Sequence, residues 1–169
     1  MKIGLVIADD AEFAPILEKS RAYSGKEFNL CGDKALSFET FKGNKIVAVL
    51  CGTGKVNAAG ATATLVCKEK PDCIINFGLS GAIKDVYKND IVIGTHFVEH
   101  DFDLTPLGYE LGVKPQPKYI YEPDKELFDR FVAKFSFLKP ANCVTGDMFV
   151  GTKERKDYII EKFGGGCCD

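Results

Sequence analysis

Three acidic residues directly follow the first apolar run of the sequence. Asp9, Asp10 and Glu12 occur in "ADDAEF", after the run "KIGLVIA" (2–8). A carboxylate held beside apolar side chains can act as a general base toward water. Acidic residues are also common in the first turn of a helix, where they interact favourably with the helix dipole. The residues by themselves leave both interpretations open.

A glycine-rich segment, "CGTGKVNAA", begins at Cys51 after another apolar run. It fails the dinucleotide-binding pattern, because Asn57 replaces the third glycine. It also fails the P-loop pattern, because Val56 follows the lysine where Ser or Thr is required. What remains is a tight turn before a helix N-terminus, which favours anions. A purely structural turn explains the segment equally well.

A second glycine-rich segment, "NFGLSGAI" (76–83), also follows an apolar run. A glycine such as Gly81 would let a ligand approach the backbone closely, and Ser80 would supply a polar contact. In an α/β protein such a segment lies where ligands bind, at the carboxyl ends of the strands. The alternative is an ordinary turn before Lys84.

The segment "HFVEH" places His96, Glu99 and His100 in the His-x-x-Glu-His pattern of a zinc peptidase family. That chemistry requires a helix, which brings both histidines to one face. Here the segment continues the β-rich run "DIVIGT", and on a strand the two histidines would lie ~13 Å apart. We therefore expect no metal site here.

An aromatic residue follows the last long apolar run, in "TGDMFVG" (145–151). The ring of Phe149, next to Val150, could stack on a nucleobase. A phenylalanine in the protein core is the commoner explanation.

Apolar runs and helical periodicities alternate along the chain and define the elements that must position these residues. Strands are predicted at 2–8, 35–41, 45–51, 73–78, 90–102 and 141–151, and helices at 12–20, 55–70, 122–135 and 152–163. Gly164 is expected to cap the last helix, with "GGCCD" entering a strand. This alternation predicts a single α/β domain over residues 1–169, with three α/β/α layers and a mixed, largely parallel central sheet.

Composition excludes several classes of protein. The net charge of −2 and the presence of only three arginines argue against binding to nucleic acid. No segment reaches transmembrane length, and the N-terminal apolar run is too short for a signal peptide, so we expect a cytoplasmic protein. The seven cysteines are odd in number and are expected to be reduced thiols.

The order and spacing of these segments resemble one known family. "MKIGLVIADDAEF", "CGTGKVNAA", "INFGLSGAI", "NDIVIGTHFVEHDFDLTPLGY" and "TGDMFVG" follow one another as in the 5′-methylthioadenosine/S-adenosylhomocysteine nucleosidases, of the purine nucleoside phosphorylase-like superfamily. The resemblance covers essentially the whole chain, and "HDFDLTPLGY" is its most specific part. It implies hydrolysis of an N-glycosidic bond through an oxocarbenium-like transition state, without metal or cofactor.

The resemblance also implies roles for individual residues. Glu12 matches the general base that activates water, and Gly81 matches a substrate contact beside Ser80. Phe149 and Val150 match the adenine site, where the ring is stacked and the backbone reads the base edge. Three further residues would cover the 5′-alkylthio group across a homodimer interface: Leu104, Leu107 and Tyr109.

The chain departs from the family pattern in places. Ser80 and Ala82 stand where the family usually has Ala-Gly-Gly, and Asp9 replaces an apolar residue. The resemblance further implies that a ribose-binding Met-Glu pair and a leaving-group aspartate would follow Asp169, so the chain matches the amino-terminal two-thirds of the family's domain. Two alternatives therefore stay open: a catalytically silent adenine-nucleoside-binding protein, and a phosphate-dependent phosphorylase of the same fold.

Overall fold

The structure, a computed structural model, describes residues 1–115 and 119–169. The chain divides into two compact units, Met1–Leu79 and Ser80–Asp169. Each unit contains one five-stranded sheet. Among the described residues, four of the strand pairings are parallel and four are antiparallel, so both sheets are mixed. The predicted α/β class is confirmed. The single domain stays a prediction.

The first unit is built from five strands and two helices, with the sheet order β2-β3-β4-β1-β5. The three strands β4, β1 and β5 run parallel, while β2, β3 and β4 form antiparallel pairs. In chain order the elements are β1 (Lys2–Ile7), α1 (Asp10–Arg21), β2 (Lys26–Leu30), β3 (Asp33–Glu39), β4 (Lys45–Leu50), α2 (Lys55–Glu69) and β5 (Cys73–Asn76).

Alternation along the strands of this first unit gives its sheet two apolar faces. Val6 of β1 joins a buried cluster with Ala61 and Leu65 of α2. The next residue, Ile7, packs with Phe13 of α1 on the other face. Since successive side chains of a strand point to opposite faces, the two helices cover the two sides of the sheet. This unit therefore has the three α/β/α layers expected from the sequence.

The second unit contains a sheet with the order β6-β10-β9-β7-β8. Strand β9 runs parallel to both of its neighbours, β7 and β10. Helix α4 covers one face, where Ile159 packs on Val98 and Val144. The elements are β6 (Gly81–Ala82), β7 (Ile91–Glu99), a 3₁₀ helix (Thr105–Leu107), β8 (Ile120–Tyr121), α3 (Lys125–Lys134), β9 (Leu138–Thr145), α4 (Lys153–Phe163) and β10 (Cys167–Cys168).

Several element boundaries differ from the predictions. The strand predicted to reach Gly151 ends at Thr145, and the one predicted to reach Phe102 ends at Glu99. Strand β2 was not predicted, because charged residues interrupt its apolar positions. At the end of the chain, Gly164 caps α4 with a φ of 63°, and Cys167–Cys168 forms a short strand. Both of those predictions are confirmed.

Within the described ranges, no helix is both long and apolar enough to cross a bilayer.

Candidate active site

Two acidic residues at the start of α1 have separate roles. Asp9 is the N-cap, and its Oδ1 accepts a hydrogen bond from the Ala11 N–H at 2.7 Å. This contact satisfies one of the free N–H groups at the helix start, as expected of a cap. Glu12 lies one turn further on, and its carboxylate accepts a hydrogen bond from outside this helix, from the Leu79 N–H. The structural interpretation thus holds for Asp9, and Glu12 remains the candidate base.

The carboxylate of Glu12 is held by the segment that follows β5. Its Oε1 accepts a hydrogen bond from the Leu79 N–H at 2.6 Å. Gly78 lies directly beneath both carboxylate oxygens, since a Cβ built there would lie 2.8 and 2.9 Å from them. Glu12 itself is half-buried. The base is therefore fixed in direction and still open to water.

The topology of the first sheet explains why these residues meet. Strands β1 and β5 are parallel neighbours, and the Phe77 N–H continues their pairing by donating to Val6 O at 3.1 Å. Helix α1 starts just past the end of β1, so its first turn lies beside the residues that follow β5. The site occupies the carboxyl edge of the sheet, where open α/β folds bind ligands.

The first glycine-rich segment is a tight turn closed by its own side chains. Gly52 and Gly54 have φ angles of 80° and 106°, which favour glycine. The Asn57 side chain donates to Thr53 O at 2.7 Å. A structural role accounts for these contacts.

Ser80 and Gly81 lie against the last strand of the second unit. The Ser80 hydroxyl donates to Cys168 O at 2.7 Å. A Cβ built on Gly81 would lie 2.8 Å from Cys168 Sγ, so glycine permits the close approach of β6 and β10. Gly81 is solvent-exposed. The structure thus gives both residues a packing role, and the backbone of Gly81 remains accessible to a ligand.

The two residues predicted at the adenine site point in different directions. Phe149 is 94% exposed, whereas Val150 is only 9% exposed and packs with Val98, Val144 and Ile159. The expectation that Phe149 lies in the protein core is therefore wrong. The pair lies in a loop rather than a strand, and Val150 anchors the loop that presents the Phe149 ring to solvent.

Contacts around the buried His100 and the neighbouring Asp101 support the start of this loop. Asp101 Oδ2 accepts a hydrogen bond from the Asp147 N–H at 2.8 Å. The buried His100 ring packs on Gly146, where an added Cβ would lie 2.7 Å from Nε2. Arg155 of α4 lies 3.1 Å from His100 Nδ1. Sequence reasoning missed this role, although the dipeptide His-Asp directly after a strand was a usable signal.

The first four residues of the His-x-x-Glu-His segment are on a strand, as predicted, since β7 spans Ile91–Glu99, and His100 directly follows it. The Nδ1 of His96 lies 3.2 Å from Thr95 Oγ1, while His100 contacts Arg155. The two rings thus have different neighbours, and the helical geometry of a zinc peptidase is not present.

The three residues expected to cover the 5′-alkylthio group lie in or next to the 3₁₀ helix: Leu104, Leu107 and Tyr109. Just before this helix, the Asp103 Oδ1 accepts a hydrogen bond from the Thr105 N–H at 2.8 Å, and that contact lowers the pKa of the Asp103 carboxyl. Leu107 is 71% exposed, Tyr109 is exposed and Leu104 is half-buried. The segment therefore presents apolar side chains to solvent.

Comparison with known proteins identifies the family. The model of the phosphorylase superfamily matches residues 2–169. The 5′-methylthioadenosine/S-adenosylhomocysteine nucleosidase of Desulfotalea psychrophila is 31% identical over 169 residues, which covers 96% of this chain and 70% of that protein. The chain belongs to the phosphorylase superfamily and, within it, to these nucleosidases.

Solved structures of this nucleosidase group have the same fold. A variant Helicobacter pylori MTAN with 5′-methylthioadenosine in its active site has a TM-score of 0.90 and 26% identity, covering 99% of this chain and 74% of that one. The futalosine hydrolase of Helicobacter pylori has a TM-score of 0.91 at 26% identity, covering 100% and 74%.

The structure distributes the candidate residues of this nucleosidase-family chain over several segments. In the first unit, Glu12 meets Gly78 and Leu79. In the second unit, the candidates lie on β6, on the loop after β9, and around the 3₁₀ helix. The contact of Glu12 with Leu79 was not predicted, because a backbone donor leaves no signature in residue type. The glycine two residues after the strand β5 was an available signal.

Proposed function

We propose that this protein hydrolyses the N-glycosidic bond of 5′-methylthioadenosine and S-adenosylhomocysteine. The products are adenine and the corresponding 5′-thio-substituted ribose. The observation that carries this proposal is the Glu12 carboxylate, half-buried at the carboxyl edge of the first sheet and fixed by the Leu79 N–H. The family membership of the chain supports the same reaction.

In this reaction Glu12 acts as the general base. Its Oε1 is bound to the Leu79 N–H, and Oε2 takes a proton from water as the water oxygen bonds to the anomeric carbon. The bond from that carbon to the adenine nitrogen breaks, and the electron pair leaves with adenine, which takes up a proton from solvent. Glu12 returns the proton of the attacking water to solvent, so the overall reaction consumes one water. Charge develops on the ribose ring as an oxocarbenium ion, so an ionised carboxylate also stabilises the transition state electrostatically.

Substrate binding is assigned to the second unit. Phe149 stacks on the adenine ring, for which its exposed face is suited, and the Val150 backbone reads the base edge. The accessible backbone of Gly81, beside Ser80, contacts the substrate. The exposed apolar residues Leu107 and Tyr109, with Leu104, cover the 5′-alkylthio group from a partner subunit.

The reaction as proposed requires neither metal nor cofactor. Water is the co-substrate, and the carboxylate supplies the base. We place the protein in the cytoplasm as a homodimer, acting in methionine salvage because the released thioribose retains the sulfur of its precursor.

One observation keeps phosphorolysis as a second candidate. Lys156 Nζ lies 3.4 Å from Ala82 O, which places a cation beside the second glycine-rich segment. A phosphorylase needs such a charge for its phosphate. The three arginines lie elsewhere: Arg130 is near Glu126, Arg155 near His100, and Arg21 in the last turn of α1.

The hydrolase, the phosphorylase and the silent binding protein can be distinguished by one assay. The protein is incubated with 5′-methylthioadenosine, with and without phosphate, and the released adenine is measured by chromatography. We expect release that does not depend on phosphate. Release only with phosphate would establish the phosphorylase, and no release with retained nucleoside binding would establish a silent binding protein.

The variant Glu12→Gln tests the assigned base. It keeps the size and the hydrogen-bond acceptor of the side chain but cannot take up the proton of water. We expect kcat to fall by about 10²–10⁴-fold, as is typical for loss of a general base. Nucleoside binding, measured by calorimetry, should remain within a few-fold of wild type. Retained turnover would remove Glu12 from this role.

A further inference from the structure

The geometry points to two residues that position the general base. The Leu79 N–H holds the Glu12 carboxylate by a hydrogen bond, and a glycine at position 78 leaves the space that this contact needs. This inference rests on the proposed function for the role of Glu12, and on the described contacts for everything else. Gly78 contributes no side chain, so its part in the site is to leave space.

The Leu79 N–H fixes the direction of the Glu12 carboxylate. The N–H of Leu79 donates to Oε1 at 2.6 Å, which is short enough for a hydrogen bond to an ionised acceptor. One oxygen is thus bound to the backbone, which leaves Oε2 for the attacking water. A backbone donor is suited to this task, because it has no rotamers and is fixed by the pairing of β5 with β1.

The Glu12 carboxylate occupies the space next to Gly78 that a side chain at this position would need. An added Cβ would lie 2.8 and 2.9 Å from the carboxylate oxygens, distances that real Cβ atoms almost never show, and 3.0 Å from Cδ. The nearest atoms all belong to the end of one flexible side chain. A methyl group at 78 would therefore move the carboxylate rather than disrupt the fold. Gly78 also lacks a positive φ, so its backbone accepts alanine.

Leu79 contributes to the site through its backbone. The Leu79 side chain is 82% exposed, so little packing depends on it. What the site uses from this residue is its backbone N–H. Gly78 and Leu79 are thus positioning residues that act through Glu12.

The experiment compares Gly78→Ala with the control Gly60→Ala. Gly60 lies in α2, and a Cβ added there meets nothing within 4 Å. For Gly78→Ala we expect kcat to fall by about 100-fold, as for a catalytic group misplaced by ~1 Å, with KM within about threefold of wild type. Its melting temperature should stay within about 4 °C of wild type. Gly60→Ala should leave kcat unchanged.

A double variant separates action through Glu12 from any other effect. Because Gly78 acts on the carboxylate, adding Gly78→Ala to Glu12→Gln should lower kcat by less than about twofold. A full, additive loss in the double variant would overturn the inference. So would an unchanged kcat in the single variant Gly78→Ala.

A measurement independent of catalysis tests the contact itself. In amide proton NMR spectra at neutral pH, the Leu79 N–H should resonate downfield in wild type, because it donates to a carboxylate. The resonance should move toward the Glu12→Gln position in Gly78→Ala, and stay in place in Gly60→Ala. An unmoved Leu79 resonance in Gly78→Ala would refute the positioning role of Gly78, whether or not the protein releases adenine. A moved resonance in a protein that releases no adenine would refute the proposed function alone.

Discussion

At the residue scale, the loop after β9 combines a residue proposed for adenine binding with a residue that stabilises the fold. Phe149 is 94% exposed, while its neighbour Val150 is buried in a cluster with Val98 and Ile159. Loss of an exposed ring removes almost no buried apolar area, so it costs the fold little. Loss of the same ring removes a stacking surface for a nucleobase.

We therefore predict that Phe149→Leu raises KM for 5′-methylthioadenosine by about 3–10-fold, which corresponds to loss of an aromatic contact of ~1 kcal/mol. The free energy of unfolding, measured in urea, should change by less than ~0.5 kcal/mol. Phe137→Leu is the matched control, because Phe137 is an exposed phenylalanine of the same unit that is assigned no role in binding. Equal KM values for all three proteins would exclude stacking by Phe149.

Residue types reveal side-chain chemistry far better than backbone chemistry. Glu12 and Phe149 were predicted by resemblance, because each carries a distinctive functional group. The Leu79 N–H and the space above Gly78 were not, since every residue but proline has an N–H. The separate roles of Asp9 and Glu12 also required coordinates, because the cap and the candidate base lie only three positions apart in one acidic segment.

At the element scale, two buried thiols join neighbouring strands of the second sheet. Cys143 of β9 and Cys167 of β10 are register partners, and their sulfur atoms lie 3.1 Å apart. The hydrogen bond from Cys143 lowers the pKa of Cys167 to about 6, although burial opposes this shift. The same shared proton raises the pKa of Cys143. The pair therefore holds one proton over a wide pH range.

This sharing predicts a pH-dependent contribution to stability. In the unfolded chain both thiols lose protons near pH ~8.5, so between pH ~6 and ~8.5 the unfolded state binds one proton more. The free energy of unfolding should therefore rise with pH in this window, and the contribution of Cys167 is lost as pH falls through about 6. Cys143→Ala, which removes the donor, should lose this slope.

Urea unfolding at several pH values in this window, under a reducing agent, measures the effect. The difference between wild type and Cys143→Ala should grow as the pH rises. Cys67→Ala, at an exposed cysteine of α2, should show the wild-type slope. Parallel profiles for wild type and Cys143→Ala would contradict the shared proton.

Elements with strong apolar runs were predictable. Among the two-residue strands, β10 was predicted as the strand that "GGCCD" enters, whereas β6 and β8 were not. The sequences of β1 and β4 are almost wholly apolar, and the structure confirms both. The two-residue strands β6 and β10 are stabilised by their neighbours rather than by their own composition. The apolar residues after Thr145 suggested a longer strand, but the hydrogen bond from the Asp147 N–H to Asp101 turns this segment into a loop.

At the scale of the whole molecule, the alternation of strands and helices was sufficient to predict the α/β class, but not the arrangement of strands. Parallel and antiparallel pairings occur in equal number within the described residues, in two separate sheets. The antiparallel share comes partly from β2, whose exposed, charged sequence resembles a loop. Pairing partners depend on tertiary packing, which periodicity in one segment does not encode.

The proposed homodimer gives the last prediction. Leu107 is a large apolar side chain with 71% of its surface exposed, in a 3₁₀ helix whose first residue, Thr105, donates its N–H to Asp103. A charge placed in an apolar interface loses its hydration without gaining a partner, so Leu107→Asp should weaken the dimer strongly. Sedimentation velocity should show a dimer for wild type and monomer for Leu107→Asp at micromolar concentration, with KM raised because the 5′ group loses its cover.

Phe41→Asp is the control for this dimer prediction, because Phe41 is 88% exposed and lies in the first unit, outside the segment assigned to the interface. It should sediment as wild type does. A dimer that survives Leu107→Asp, or a wild-type monomer that releases adenine at an undiminished rate on dilution, would show that this segment serves the active site of its own chain.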